Sequence, residues 1–253
     1  MAGIVTVINH ASVLIQLDGV NVLTDPIYSR TVSFLFPRLQ RPGIALEDLP
    51  PIDAVLVSHS DYDHLNLKTL KQISRRHAAP IVLPAGLGPY GQSAGFINVI
   101  EMTAWQTIEH GRTSITCVPA KHLSKRRPGD PTSNACVGYV IQSGGHTVYF
   151  AGDTAYDGFF TEIGSRFSID VALLPIGAYK PERWFKNLHL HPSTALQAFL
   201  DLKARFLVPI HWGTFWISDE PMAEPPHLLR EEASRRGCAE AVHVLRNGEA
   251  LRF

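Results

Sequence analysis

Between positions 59 and 64 the chain places two histidines and two aspartates, His59, Asp61, Asp63 and His64, directly after the aliphatic run IDAVLVS. A buried strand ordinarily ends in Gly, Pro or Asn turn chemistry, whereas this one ends in four side chains that each offer a lone pair to a cation. Histidine nitrogen and carboxylate oxygen are donors that zinc accepts at about 2.0–2.2 Å. A short rigid turn can point alternate residues at one metal and adjacent residues at a second. Taken singly, any of the four would read as a solvated loop residue, with Asp63 or Asn66 capping the helix that follows. Four together favour metal binding.

One turn cannot close two coordination shells, so further ligands are required at other strand ends. Three positions answer: His122 follows SITCVPA, Asp153 follows HTVYFAG and His211 follows RFLVPI, each at the carboxyl end of an apolar run. His77, His110, His146 and His243 sit at a helix end, in a turn, or within or beside hairpin strands, and receive no function. His189 and His191 lead into a helix that begins near Pro192, and either could be ordinary structure there. Lys125, Arg126 and Arg127 stand just beyond His122 and could hold a phosphate, although a charge run is more often a solvated face. The stretch SFLF, positions 33–36, could form an apolar lip for an acyl chain or pack in the core. Tyr62, between the aspartates, reads as packing.

Four chain segments must therefore meet at one edge, and the rest of the sequence supplies the elements to bring them there. IVTVI, SVLIQL and VNVLT surround the turn Asp18-Gly19 and read as a β meander. Further apolar segments follow at IDAVLVS, PIVLP, INVIEM, SITCVPA, CVGYVIQ, HTVYFAGD, DVALLPIG, RFLVPIHWG and AVHVLRNGEALRF. Roughly a dozen strands exceed one ordinary sheet and predict two packed sheets. Helical spacing appears in LNLKTLKQISRRH and STALQAFLDLKA, and PPHLLREEASRRG has the prolines in front and the glycine behind that mark helix ends. No repeat, linker or low-complexity stretch divides the chain, which predicts one domain over residues 1–253 with outer helices.

Composition narrows the class. At 253 residues and 45% hydrophobic content the chain can build a sizeable core. The 23 basic and 23 acidic residues cancel, so no overall field recruits nucleic acid. Three scattered cysteines without a CxxC pair fit a reducing cytosol. The amino-terminal stretch lacks the pattern of a signal peptide, and no apolar run approaches the roughly 18 residues of a spanning helix. The expectation is a cytoplasmic protein, with peripheral membrane contact left open.

SHSDYDHLN resembles the HxHxDH signature of the metallo-β-lactamase fold, and VPAKHLS, YFAGDT and PIHWGTF resemble its later metal motifs in the same order. More narrowly, LTDPIYS, LPPIDAVLVSHSDYDHL, PIGAYKPERWF and HWGTFWISDEPMAEPP resemble the branch containing N-acyl-phosphatidylethanolamine-hydrolysing phospholipase D and its bacterial relatives, from about residue 4 to the carboxyl terminus. The resemblance implies an αββα sandwich with two divalent metals, zinc by preference, at one edge between the sheets. It assigns His59, Asp61 and His122 to the first metal, Asp63, His64 and His211 to the second, and Asp153 to a bridge. Asp61 departs from the signature, which has histidine there. A carboxylate is a harder, anionic donor, so manganese or iron enters the range for that site.

The resemblance also implies a substrate-contacting histidine three residues before Pro192, which selects His189 as a phosphate contact or proton donor. Counting from Trp184 the spacing differs by one and keeps His191 as a rival. With a metal-activated water the implied reaction is hydrolysis of a phosphodiester in a phospholipid or small molecule, with Lys125 and Arg126 as candidate substrate contacts. A lactonase or other ester hydrolase on the same scaffold is the enzymatic alternative, and a non-catalytic metal- or ligand-binding protein is the other.

Overall fold

The structure, a computed structural model, describes residues 2–33, 35–124, 126 and 135–253. Lys125, Arg127 and Phe34 of the SFLF stretch lie outside the described residues. Strands β1 (Ile4–Asn9), β2 (Ser12–Leu17) and β3 (Val20–Thr24) form the expected meander. Asp18 at φ 47° and Gly19 at φ 83° turn β2 into β3, the positive-φ pair whose twist matches that of the strands it joins. A two-stranded hairpin, β4 (Thr31–Val32) with β5 (Phe36–Pro37), occupies part of the otherwise irregular segment that follows.

Next come β6 (Ala54–Leu56), α1 (Leu67–Arg76), β7 (Ile81–Pro84), α2 (Gly88–Ser93) and β8 (Val99–Met102). The second half contains β9 (Thr107–His110), β10 (Thr113–Pro119), β11 (Val137–Ser143) and β12 (His146–Phe150). It continues with α3 (Phe159–Arg166), β13 (Val171–Pro175), α4 (Glu182–Phe185), α5 (Pro192–Leu202), β14 (Phe206–Ile210), α6 (Glu224–Arg235) and β15 (Ala250–Arg252). The first large sheet runs β15-β1-β2-β3-β6-β7-β8 and the second β14-β13-β12-β11-β10-β9.

Alternation along the strands builds the layers. Ala54 and Leu56 of β6 and Val171 and Leu173 of β13 face a common core between the sheets. Val55 turns outward to meet Leu70 and Ile73 of α1, and Ala172 and Leu174 turn outward to meet Phe160 of α3, Leu196 of α5 and Leu229 of α6. The result is the four-layer αββα sandwich of the metallo-β-lactamase type.

Strand direction decides where chemistry can sit. β1 and β3 are each antiparallel to β2, and β3 is parallel to β6, so β1, β3 and β6 all end at one edge. β10 and β12 are each antiparallel to β11, and β12, β13 and β14 are mutually parallel. The carboxyl ends of β10, β12 and β14 therefore share an edge as well.

The carboxyl-terminal segment departs from its expected strand. Val242 makes a single bridge to Leu207 in the second sheet, whereas β15 pairs with β1 in the first. A segment that crosses between sheets cannot ladder with either over its whole length, which leaves only three residues in β15. Among the described residues no helix is long and apolar enough to cross a membrane.

Candidate metal centre

Beyond β6 the chain folds tightly back on itself: the amides of His64 and Leu65 both donate to the Asp61 carbonyl, at 3.1 and 2.8 Å. Arg126 clamps this turn from outside, its Nη1 donating to the Ser60 and Leu65 carbonyls at 2.6 and 2.7 Å. The guanidinium lies 4.1 Å from the Tyr62 ring centroid, and Tyr62 Oη donates to the Arg126 carbonyl at 3.0 Å. Tyr62 thus faces away from the ligands.

Three histidines have one ring nitrogen fixed by the protein. His64 Nδ1 lies 2.7 Å from Asp25 Oδ2, a carboxylate oxygen that can only accept, so Nδ1 carries the proton. Ser58 Oγ donates to that same oxygen at 2.6 Å and accepts from His59 Nδ1 at 2.9 Å. His122 Nδ1 donates to the Leu188 carbonyl at 2.8 Å. In each ring Nε2 is the atom left to face the site. His59 Nε2, His64 Nε2 and His211 Nε2 are buried without a hydrogen-bond partner, an expensive state unless a cation accepts their lone pairs.

The carboxylates stand where that cation would need them. Asp61 Oδ2 lies 3.5 Å from His59 Nε2 and 3.4 Å from His122 Nε2. Asp63 Oδ2 lies 3.7 Å from His64 Nε2 and 3.5 Å from His211 Nε2. Asp153 Oδ2 is 3.0 Å from His211 Nε2, 3.2 Å from His64 Nε2 and 3.9 Å from His59 Nε2, between the two groups. A tetrahedron with bonds of about 2.0–2.1 Å has edges of about 3.3–3.4 Å, so these separations suit a zinc-sized ion. Donor atoms of His59, Asp61 and His122, and of His10, Asp63, His64 and His211, lie within 4.8 Å of one another in each group.

Electrostatics match. Burial alone would raise the carboxyl pKa of Asp153, but His211 and His64 hold it well below the usual range. Asp63 is likewise held low against burial by His64, His10 and His211. Burial opposes charge on His211, yet Asp153 and Asp63 push its pKa up to about 9; His64 is raised in the same way by Asp153 and Asp63. Protons on these two rings balance the carboxylates where a cation would otherwise do so.

His189 lies in the segment between α4 and α5, buried, with Nδ1 unpartnered and 3.8 Å from Asp153 Oδ2. Its ring meets His122 edge-on at 4.9 Å. Burial holds its pKa down at about 3. His191 is elsewhere: it caps α5, its Nδ1 accepting from the Ser193 amide, and its ring packs on Tyr179.

Two residues here are not among the expected site residues, although Asp25 lies within LTDPIYS, one of the stretches that carry the resemblance. Asp25, just past β3, accepts from the Ser58 amide and hydroxyl and from His64, backing the site from the Nδ1 side. His10, in the turn from β1 to β2, is buried with Nε2 3.1 Å from Asp63 Oδ2. The usable signal is topological: in a meander whose third strand runs parallel to β6, the first turn and the end of β3 lie beside the ligand turn. Asp25, His10 and His211 have φ of 33°, 48° and 59°, left-handed conformations that cost about 1–3 kcal/mol each and gather at functional sites.

A family model described as a beta-lactamase superfamily domain matches residues 20–212. An N-acyl-phosphatidylethanolamine-hydrolyzing phospholipase D of Caenorhabditis elegans is 34% identical over 244 residues, 89% of this chain and 68% of the relative. A UPF0173 metal-dependent hydrolase of Methanopyrus kandleri is 32% identical over 97% of this chain and 98% of its own length. A relative in Mycobacterium tuberculosis, 35% identical, is longer, and the chain spans 64% of it. Among solved structures, the metallo hydrolase Igni18 of Ignicoccus hospitalis superposes over 100% of this chain and 99% of its own with a TM-score of 0.78 at 23% identity, a likeness of fold. The chain belongs to the metallo-β-lactamase superfamily, and its relatives there include proteins described as metal-dependent hydrolases.

Proposed function

We propose that residues 1–253 form one hydrolase domain, a two-metal phosphodiesterase of the N-acyl-phosphatidylethanolamine phospholipase D type. The observation that carries the reading is the position of Asp153: a single carboxylate oxygen lies 3.9 Å or less from ring nitrogens of both donor groups. His59, Asp61 and His122 would hold one ion, Asp63, His64 and His211 the other, with Asp153 shared. Zinc suits the imidazoles, and the carboxylate of Asp61 admits manganese or iron. When bound, such ions acidify water and neutralise charge developing on substrate oxygens.

The protein's own contribution is placement. Asp25, Ser58 and Leu188 fix the histidine tautomers. His189 presents a buried, neutral ring beside Asp153, suited to donate its N–H to a phosphoryl oxygen or carry a proton to or from the leaving group. Arg126 lines a cavity of about 790 Å³ next to Tyr62, where its positive charge would favour an anionic substrate group.

A lipid-like substrate is supported by apolar side chains exposed on segments adjoining the ligands. Leu123 follows His122, Trp184 precedes the Phe185 that packs on His189, and Trp216 follows the Phe215 that packs on His10. Three free cysteines support a cytoplasmic location.

The test is a panel of phosphodiesters, lactones and acyl amides assayed with zinc, manganese and iron, alongside metal counts per chain. Phosphodiester turnover with two metals is expected. Lactone turnover alone would move the protein to the ester hydrolases, and full activity with one metal would end the two-metal reading.

A further inference from the structure

His10 is the one member of the second donor group that no ligand motif contains. Its backbone already joins the two sheets: the His10 carbonyl accepts from the His211 amide at 2.9 Å, and the His10 amide donates to Thr214 Oγ1 at 2.9 Å. Its ring packs 4.0 Å from that of His211, and Phe215 closes the other side edge-on. The side chain reaches along the edge of its own sheet to the turn after β6, where Nε2 meets Asp63 Oδ2 at 3.1 Å.

The proton on that contact can be placed. A carboxylate oxygen can only accept, so the hydrogen bond to Asp63 Oδ2 requires the proton on Nε2. Nδ1 is buried with no partner, as fits a bare nitrogen on a neutral ring. A ring with its proton on Nε2 has no lone pair there to give a metal. From this geometry we infer that His10 is a positioning residue: it holds the Asp63 carboxylate by hydrogen bond, and so sets the occupancy of the second metal site without being a ligand. The inference rests on the two-metal reading above, and it extends the support already seen behind His59, His64 and His122 to a carboxylate ligand.

The strained backbone at φ 48° dictates the variants. Asparagine tolerates the left-handed region but is too short to reach Asp63, whereas glutamine can place its amide nitrogen near the position of Nε2. Metal per chain and zinc affinity are measured on purified protein, and cobalt-substituted protein gives the ligand-field spectrum. The wild type should hold two metals. His10→Asn should keep the first and bind the second about 10–100-fold more weakly, the range for loss of a residue behind a ligand. His10→Gln should restore the second metal with a cobalt spectrum like that of the wild type.

If His10→Asn binds both metals with wild-type affinity, the positioning role is overturned. If His10→Gln restores nothing, or restores metal with an altered cobalt spectrum, the imidazole itself is a ligand and the inference fails in favour of that role. A wild type that holds a single metal under saturating zinc overturns the two-metal reading and this inference with it. Failure of the variants alone leaves the two-metal reading standing, so the two failures are told apart by the wild-type count.

Discussion

Asp61 stands where the superfamily signature has histidine, and its surroundings are built for a carboxylate. Its Oδ1 accepts from Ser124 Oγ at 2.7 Å, and that hydroxyl lies 2.6 Å from Ser60 Oγ. The oxygen that does not face the imidazoles therefore has a donor of its own. Asp61→His exchanges an anionic oxygen for a neutral nitrogen, and zinc should then bind more tightly relative to manganese or iron, with zinc-supported activity rising in parallel. Ser124→Ala should weaken metal binding about tenfold in the wild type and have little effect in the Asp61→His background, where the hydroxyl no longer has a carboxylate to hold. Metal titration of the two single variants and the double variant at fixed pH measures this. Unchanged preference in Asp61→His would remove Asp61 from the ligand set. Asp153→Ala is the sharper case, because one oxygen serves both groups: both metals should be lost while circular dichroism still reports a folded chain.

At the level of elements, what was legible in the sequence was whatever repeats with a strong period or ends in unusual chemistry. The meander, the alternating strands, the stripes of α1 and α5 and the flanking prolines and glycine of α6 met that condition, as did the ends of β6, β10, β12 and β14 that carry the proposed ligands. The helices α2 and α4 did not, since a six-residue GPYGQS and a four-residue ERWF carry no buried stripe. Asp25 was hidden for another reason. It bears one carboxylate in an ordinary LTDP turn, and its meaning depends on β3 running beside β6 so that its oxygens meet Ser58 and His64. Asp25→Asn keeps the shape but removes the anion that holds the proton on His64 Nδ1. Zinc affinity should fall about 10–100-fold with the fold intact, as isothermal titration and circular dichroism would show; unaltered affinity would mean that the His64 ring is fixed by packing alone.

Across the whole molecule the centre joins the two sheets, because one sheet supplies residues 59–64 and the other supplies His122, Asp153 and His211. A metal held here binds the folded chain and not the unfolded one, so at a hundredfold excess over its dissociation constant it adds about 2.7 kcal/mol of stability. Without metal, the rings carry the balance of charge, and stability must follow their protons. The pKa of His211 is raised from an unfolded value of 6.5 to about 9; its contribution is complete below the former and is lost as pH rises through the latter. His64 is raised too and acts in the same direction. His10, lowered by burial and by His211, and His189, lowered by burial, titrate at about 3, so their contribution is complete above 6.5 and is lost as pH falls toward that value. Chelator-treated protein should thus melt at its highest temperature near pH 6.5 and lower on either side. Metal-loaded protein has already displaced the protons from His64 and His211 and should show no such alkaline loss, so the gap between the two melting curves should widen from pH 6.5 to pH 9. Differential scanning calorimetry with and without chelator measures both curves, and a chelated protein whose melting temperature stays level or climbs over that interval would show that protons on these rings do not stand in for the metal.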